Sequence, residues 1–413
     1  MKIKGFLEDI SGIKRITKAR LDAIKNAPAD PVPEDPIRKV AQEWHPGALT
    51  LRVQEIRYAG ANARTCRFVR PEGGKLPPFY AGKYLVLTLD VEGKTISRPY
   101  SISSAPSEAR LENGFVEITV KKPQNDGFFA EHIFRNLAPG DEVTALIGCG
   151  QFYFEPLRDA RRILALAGGV GVTPFVSMAR EIAAGKPDID LTILEGAVRP
   201  EELILADELQ ALEDACPEKI RVVPVISGDS PGWNGEKGFL SAELIRKYIG
   251  WEQTVSADDA GFAAEKSDTS IFVCGPQAMY RYLREELKKL EIPERRVRFE
   301  VFGQVKDIAS YEGYPEEAAG KTFSLTVHRG IHADVIPAMA CESLAVALER
   351  AGIRLETACR SGECGFCRTK VLSGPYFVCP ENDGRRAADK EFNYVHACSA
   401  FPVGDLEIRI PIA

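Results

Sequence analysis

No run of about 18 apolar residues occurs in the 413-residue chain, so a membrane-spanning helix is excluded on length. The opening stretch MKIKGFLEDISGIKRITKARLDAIKNAP has neither an apolar core nor a small-residue cleavage site, which argues against secretion. Basic excess is missing too: a net charge of -6 and a pI near 5.7 leave no footprint for nucleic acid. Ten cysteines fall far below the density of a disulfide scaffold, and a reducing, cytoplasmic setting is expected. Internal repeats and low-complexity tracts are absent. With 45% hydrophobic and 27% charged residues, the composition is that of an ordinary globular protein. The information therefore lies in residue order, and the length predicts about two to four domains.

The first 45 residues stand apart. Phe6, Ile10, Ile13, Leu21 and Ile24 fall within roughly one 80° arc at 100° per residue, which predicts an amphipathic helix ahead of the proline-rich NAPADPVPEDP. Residues 1–25 carry seven Lys/Arg against three Asp/Glu. This fits either a helix packed on the body with a solvated basic face or a partner-docking arm.

Between 46 and 158, short β-rich runs such as TLRVQEIRY, TCRFVRP, YLVLTLDV and FVEITVKK are broken by Gly, Pro and Asn. They predict an antiparallel β-barrel with one short helix near 128–136. Between 159 and 303, strands alternate with helices, the pattern of an α/β domain with a parallel sheet. Residues 251–268 read as a surface insertion, 304–320 as a loose linker and 321–413 as a third compact unit.

The stretch ETACRSGECGFCRTK holds Cys359, Cys364 and Cys367 in a C-x4-C-x2-C array. Three thiolates cannot close a tetrahedral metal site, and a fourth, Cys398 in YVHACSAFP, lies downstream. This is the spacing of plant-type 2Fe-2S centres. Gly362 and Gly365 would let backbone N–H groups approach the cluster sulfurs. Zinc is the rival occupant, but its usual C-x2-C pairs are not what this spacing offers. Cys379 follows YFV at a strand end and is read as structural. Two alternating runs, TFSLTVHRG and IHADVIPA, and the helix ESLAVALERAGI precede the loop. Residues 321–413 thus resemble a plant-type ferredoxin, an α+β (β-grasp) fold. Eleven Lys/Arg balance eleven Asp/Glu there. Free ferredoxins of this type tend to be acidic, so neutrality suggests a domain tethered to its electron donor.

A donor motif lies upstream. Arg98-Pro99-Tyr100-Ser101, in ISRPYSISS, resembles the R-x-Y-S motif of the ferredoxin-NADP reductase superfamily. The resemblance implies that Arg98 binds the flavin phosphate, that the Tyr100 ring covers the isoalloxazine and that Ser101 lies near its N5. A cation, an aromatic plane and a small hydroxyl suit those tasks. In DGFFAEHIFRNL, Gly127 and Phe128 open a helix, a favoured anion position. Ala130 stands where many relatives place a serine or threonine, and Lys83 where glutamine is common. FAD is expected, with FMN the alternative.

The loop Gly168-Gly169-Val170-Gly171-Val172-Thr173-Pro174 follows an apolar strand and opens a helix, a context in which a pyrophosphate meets backbone donors. It is not the GxGxxG spacing of doubly wound dehydrogenases. It resembles the G-G-x-G-x-T-P loop of the same superfamily, and Cys274-Gly275-Pro276 supplies the second nucleotide motif. By resemblance, Thr173 and Cys274 flank the nicotinamide. Asp229, after strand VVPVI, would repel a 2'-phosphate and accept from ribose hydroxyls. NADH is therefore expected, while Arg199 and Arg221 keep NADPH open. Phe299–Gly303 resembles an F-E-x-F-G exit from the domain, with Phe302 approaching the flavin.

The resemblance implies an oxidoreductase that passes electrons from NADH through flavin, with Ser101, Thr173 and Cys274 at the reacting atoms. The 2Fe-2S cluster would hand them singly to a redox protein acceptor: an oxygenase, another metalloenzyme or an activator target. The alternatives are reduction of a small organic substrate at the flavin, or a redox sensor acting through the N-terminal segment.

Overall fold

The computed structural model describes residues 6–27, 35–123, 128–249, 269–290, 292–301, 303, 305 and 307–411. Two compact units divide the chain, Met1–Pro46 and Gly47–Ala413. In the first, the expected helix runs Phe6–Lys25 and a second spans Pro36–Trp44. The second begins where the Asp35 carboxylate accepts from the Ile37 amide at 3.0 Å and Pro36 takes a first-turn position needing no N–H. Ile13, Ile16, Leu21 and Ile24 on the long helix, and Ile37, Val40 and Trp44 on the short one, are exposed.

The second unit holds three sheets and a two-stranded ribbon. β1 (Ala48–Tyr58), β2 (Ala63–Val69), β3 (Tyr84–Val91), β4 (Lys94–Ser101), β5 (Phe115–Lys121) and β6 (Glu142–Cys149) pair in the order β4-β3-β6-β1-β2-β5, all antiparallel. The sheet closes on itself where Ile102 bridges Ile118 and the Ser103 amide donates to the Glu117 carbonyl at 2.8 Å. Leu51, Phe68, Leu85, Leu87 and Ile118 fill the barrel. The helix Phe128–Asn136 plugs one end with Phe129 and Ile133.

β7 (Arg162–Gly168), β8 (Asp190–Ala197), β9 (Ile220–Ile226), β10 (Glu236–Lys237), β11 (Thr269–Cys274) and β12 (Val297–Glu300) form a parallel sheet in the order β10-β9-β8-β7-β11-β12. Alternation along β7 sends Ile163, Ala165 and Ala167 to one helical layer and Leu164 and Leu166 to the other. The strand order reverses at β7, so β7 and β11 flank the crevice where open α/β sheets bind ligands. Both nucleotide motifs leave the sheet there. The two-residue edge strand β10 has no sequence signal of its own. The expected insertion at 251–268 lies outside the described residues.

β13 (Thr322–Arg329), β14 (His332–Met339), β15 (Arg368–Ser373), β17 (Tyr394–His396) and β19 (Leu406–Arg409) make a mixed sheet ordered β14-β13-β19-β15-β17, with β16 (Tyr376–Val378) and β18 (Ala400–Pro402) as a separate ribbon. The helix Leu344–Arg350 buries Leu344, Ala345, Ala347 and Leu348 in the core that the sheet lines, as a β-grasp arrangement requires. The linker is not loose. Ile308, Tyr314 and Ala318 are buried in one core with Ala340, Cys379 and Phe401 of the third unit, because single apolar residues spaced through a polar segment can each fill a hole. Cys379 thus has the structural role expected of it.

Candidate functional site

The cysteine loop and the turn after β17 bring the four predicted metal-ligating thiols together. Cys359, Cys367 and Cys398 are buried and Cys364 is exposed. The Cys367 and Cys398 sulfurs lie 3.3 Å apart, and the Cys359 thiol meets those of Cys364 and Cys398. The Ser361 and Cys364 amides both donate to the Cys359 sulfur at 3.4 Å. Hydrogen bonds from Cys364, Cys398 and Ser361 hold the Cys359 thiol far below its ordinary range against the effect of burial. Among the described residues no group of three or more His, Cys, Asp or Glu is arranged around a single ion. A 2Fe-2S cluster divides its four thiolates between two irons, and the linked pairs fit it. At Gly362, with φ +87°, a Cβ would stand 2.2 Å from the Asn382 carbonyl, so only glycine lets the loop fold this tightly.

The flavin motif lies on β4, an edge strand where Pro99 removes no needed ladder bond. Its register sets Arg98 opposite Leu87, Tyr100 opposite Leu85 and Ser101 opposite Tyr84. Arg98 Nη1 donates to the Ser97 carbonyl at 2.9 Å and to Glu349 Oε1 at 3.0 Å. The guanidinium sits over the Phe129 ring at 5.6 Å. Nε and Nη2 of Arg98 take no partner among the described residues, so a partly buried cation keeps N–H donors for a phosphate. Tyr100 lies nearly parallel to Phe129 at 6.3 Å, and burial pushes its phenol well up. Ser101 is buried. Gly127 lies outside the described residues, Phe128 is exposed at the helix start, and Ala130 brings no hydroxyl there. These residues fit FAD through Arg98, Tyr100 and Ser101.

At the crevice the two nucleotide loops interlock. A Cβ on Gly171 would stand 2.1 Å from the Cys274 carbonyl, and one on Gly168 would stand 2.7 Å from Met279 Sδ. Gly169 has φ +54°, and Thr173 Oγ1 donates to the Val170 carbonyl at 2.7 Å as Pro174 enters the helix Thr173–Ala183. Cys274 is buried, which raises its thiol well above the ordinary range. A cavity of about 530 Å³ opens beside the loops, lined by Gly168, Gly169, Ser227, Pro276, Met279 and Tyr282 among others. That site fits a nicotinamide dinucleotide. Gly275 packs on Met279. Asp229 is exposed two residues beyond Ser227 and is not part of the lining. Phe302 lies outside the described residues.

The structure also brings forward residues that motif reading passed over. Tyr84, paired with Ser101 on the flavin strand, packs with Val86 against Ala358 and Cys359 of the cluster loop. Glu349 takes Arg98 on one side and grips Arg360 on the other, at 2.5 and 3.0 Å. Glu117, fully buried, accepts from Arg57, Arg67 and Arg180. A charged residue beside a ligand cysteine was a signal for Arg360; nothing local marks Glu349 or Glu117, whose partners lie far along the chain.

Comparison with known proteins fits this geometry. Residues 50–154 match the oxidoreductase FAD-binding domain, 165–285 the oxidoreductase NAD-binding domain and 332–403 the 2Fe-2S iron-sulfur cluster binding domain. The glycine betaine monooxygenase reductase subunit of Chromohalobacter salexigens is 26% identical over 89% of this chain and 97% of its own length. The NADH oxidoreductase HCR of Escherichia coli is 28% identical over 80% and 88%. The solved phthalate dioxygenase reductase shares the fold at a TM-score of 0.61 and 22% identity, over 89% of this chain and 98% of that one. Among the described residues no helix is long and apolar enough to cross a membrane. The chain thus carries an oxidoreductase FAD-binding domain, an oxidoreductase NAD-binding domain and a 2Fe-2S iron-sulfur cluster binding domain in that order, and is an NAD(P)H-dependent flavin and iron-sulfur oxidoreductase similar to these reductases.

Proposed function

We propose that this protein is the reductase component of an oxygenase system, taking electrons from NADH and exporting them singly to a protein acceptor. The carrying observation is that β3, the strand paired with the flavin-motif strand β4, shares one apolar seam with the cluster loop, Tyr84 and Val86 against Ala358 and Cys359. When bound, FAD accepts a hydride and the 2Fe-2S cluster carries one electron at a time. Arg98, Tyr100 and Ser101 hold and orient the flavin. Gly168, Gly169, Gly171, Thr173, Pro174, Cys274, Gly275 and Pro276 shape the nicotinamide crevice. Asp229 disfavours a 2'-phosphate near Ser227, and its exposure leaves it free to reach a bound ribose. Cys359, Cys364, Cys367 and Cys398 hold the cluster, and exposure on the Cys364 side lets an acceptor approach.

Cys398→Ala should abolish the visible cluster signal and NADH-driven reduction of cytochrome c, while NADH-driven reduction of ferricyanide continues at the flavin. A wild-type rate with cytochrome c after loss of the cluster would refute export through it. The relatives named as monooxygenase reductase subunits favour an oxygenase acceptor, which turnover of a purified oxygenase partner with NADH would test.

A further inference from the structure

Arg98 belongs to the flavin motif and Arg360 to the cluster loop, 262 positions apart in sequence, yet a single carboxylate holds both. Glu349, in the last turn of the helix Leu344–Arg350, receives Arg98 Nη1 at 3.0 Å on Oε1. It also receives Arg360 Nη1 on Oε1 at 2.5 Å and Nη2 on Oε2 at 3.0 Å, a two-pronged grip. The Arg360 side chain is 1% exposed, that of Glu349 14% and that of Arg98 28%, so water screens the trio only weakly. Two guanidinium groups this close would repel each other without the acid between them.

Arg360 is also one of five non-glycine residues described with positive φ, at 58°. It sits directly between the ligand Cys359 and Ser361, whose amide points at the Cys359 sulfur. A left-handed arginine persists only where its surroundings over-determine it, and the grip of Glu349, with a contact to Thr357 Oγ1 at 3.4 Å, supplies that constraint. A cavity of about 240 Å³ lined by Val86, Ser97, Glu349, Thr357 and Phe366 lies beside the bridge, and an apolar patch joins Tyr84 and Val86 to Ala358 and Cys359.

We propose that Glu349 is a positioning residue for electron transfer, a shared counter-ion that registers the flavin-binding strand against the cluster loop and holds that loop in its ligand-bearing shape. The proposal rests on the reductase reading above. Because Arg98 keeps Nε and Nη2 for the flavin phosphate, it can serve the cofactor and Glu349 together.

The test compares wild-type, Glu349→Gln and Glu349→Asp holoproteins, mixed anaerobically with NADH. Bleaching of the flavin band and the appearance of the reduced-cluster EPR signal are followed separately. In Glu349→Gln, cluster reduction should slow at least about tenfold more than flavin bleaching, since a misplacement near 1 Å has effects of that order. Glu349→Asp, which keeps the charge on a shorter side chain, should show a smaller selective slowing of about threefold. Hydrogen exchange supplies a readout independent of turnover: amides in 94–101 and 344–361 should exchange at least about tenfold faster in Glu349→Gln, as a locally loosened seam requires. Unchanged exchange and an unchanged ratio of the two rates would overturn the proposal, as would equal slowing of both steps. If Glu349→Gln cannot hold its cluster, Glu349→Asp decides, with a selective slowing of about threefold in support and a wild-type ratio against. Should wild-type cluster never be reduced by NADH, the reductase reading fails instead, and the exchange comparison still judges the positioning role.

Discussion

Glu117 shows how one residue can join two domains. It lies on β5 of the barrel with a fully buried side chain, and it accepts from Arg57 on β1, Arg67 on β2 and Arg180 of the helix Thr173–Ala183 in the nucleotide domain. Burial pushes its carboxyl up. The hydrogen bond from Arg57, the charge of Arg180 and the hydrogen bond from Arg67 outweigh that and bring it from an ordinary 4.5 to about 2. Its ionised form therefore stabilises the fold fully above pH 4.5, and that contribution is lost as pH falls toward 2. Glu117→Gln should cost about 3 kcal/mol at neutral pH by leaving partly buried arginines without a counter-charge. Urea midpoints of the two proteins should converge as pH falls from 4.5 toward 3; a constant gap would show that the carboxylate does not titrate in that window.

At the scale of elements, the nucleotide crevice depends on two loops that leave neighbouring strands β7 and β11. Their six-residue parallel register, from Thr269 beside Arg162 to Cys274 beside Ala167, delivers Gly171 against the Cys274 carbonyl. Both partners in that contact are backbone, so neither can rotate away. Gly171→Ala should destabilise the nucleotide domain by about 2 kcal/mol through overpacking and weaken NADH binding about tenfold, a change of about 1.4 kcal/mol. Titration of the charge-transfer band with NAD(H) and a denaturant melt check the two effects, and flavin content should be unaffected. Thr173→Ala, by contrast, removes only a hydroxyl bonded to the Val170 carbonyl.

For the whole molecule, the segment before β13 belongs to the ferredoxin domain rather than between domains. Ile308 and Tyr314 complete a core that also holds Cys379 and Phe401. A fragment of residues 305–413 should keep its 2Fe-2S spectrum, while one of residues 321–413 should lose it on mild heating, since exposing several core side chains removes about 1.5–3 kcal/mol each. Equal thermal stability of the two fragments, read from cluster absorbance, would show the segment to be a tether after all.

Much of this could be read from residue order because the signals are local. Period-two runs predicted the barrel strands, alternating strands and helices the parallel sheet, and a C-x4-C-x2-C array with a later cysteine the cluster ligands. Loop motifs such as RPYS and AGGVGVTP lie on contiguous backbone and carry their own geometry. Short-range physics has no grip on β10, two residues long, or on the packing of 305–320, where isolated apolar residues look like solvated linker until a hole exists for them. The same holds for the charges. A glutamate in the last turn of ESLAVALERAGI is an ordinary helix residue until folding sets Arg98 and Arg360 on either side of it. By itself, then, the sequence determined the three modules and their order and marked the candidate cofactor-binding residues, because each signal is encoded within a few dozen positions. Only the tertiary structure decided how flavin strand, nucleotide sheet and cluster loop meet, since Glu349 and Glu117 act through partners that chain distance hides and burial in a weakly screened interior makes strong.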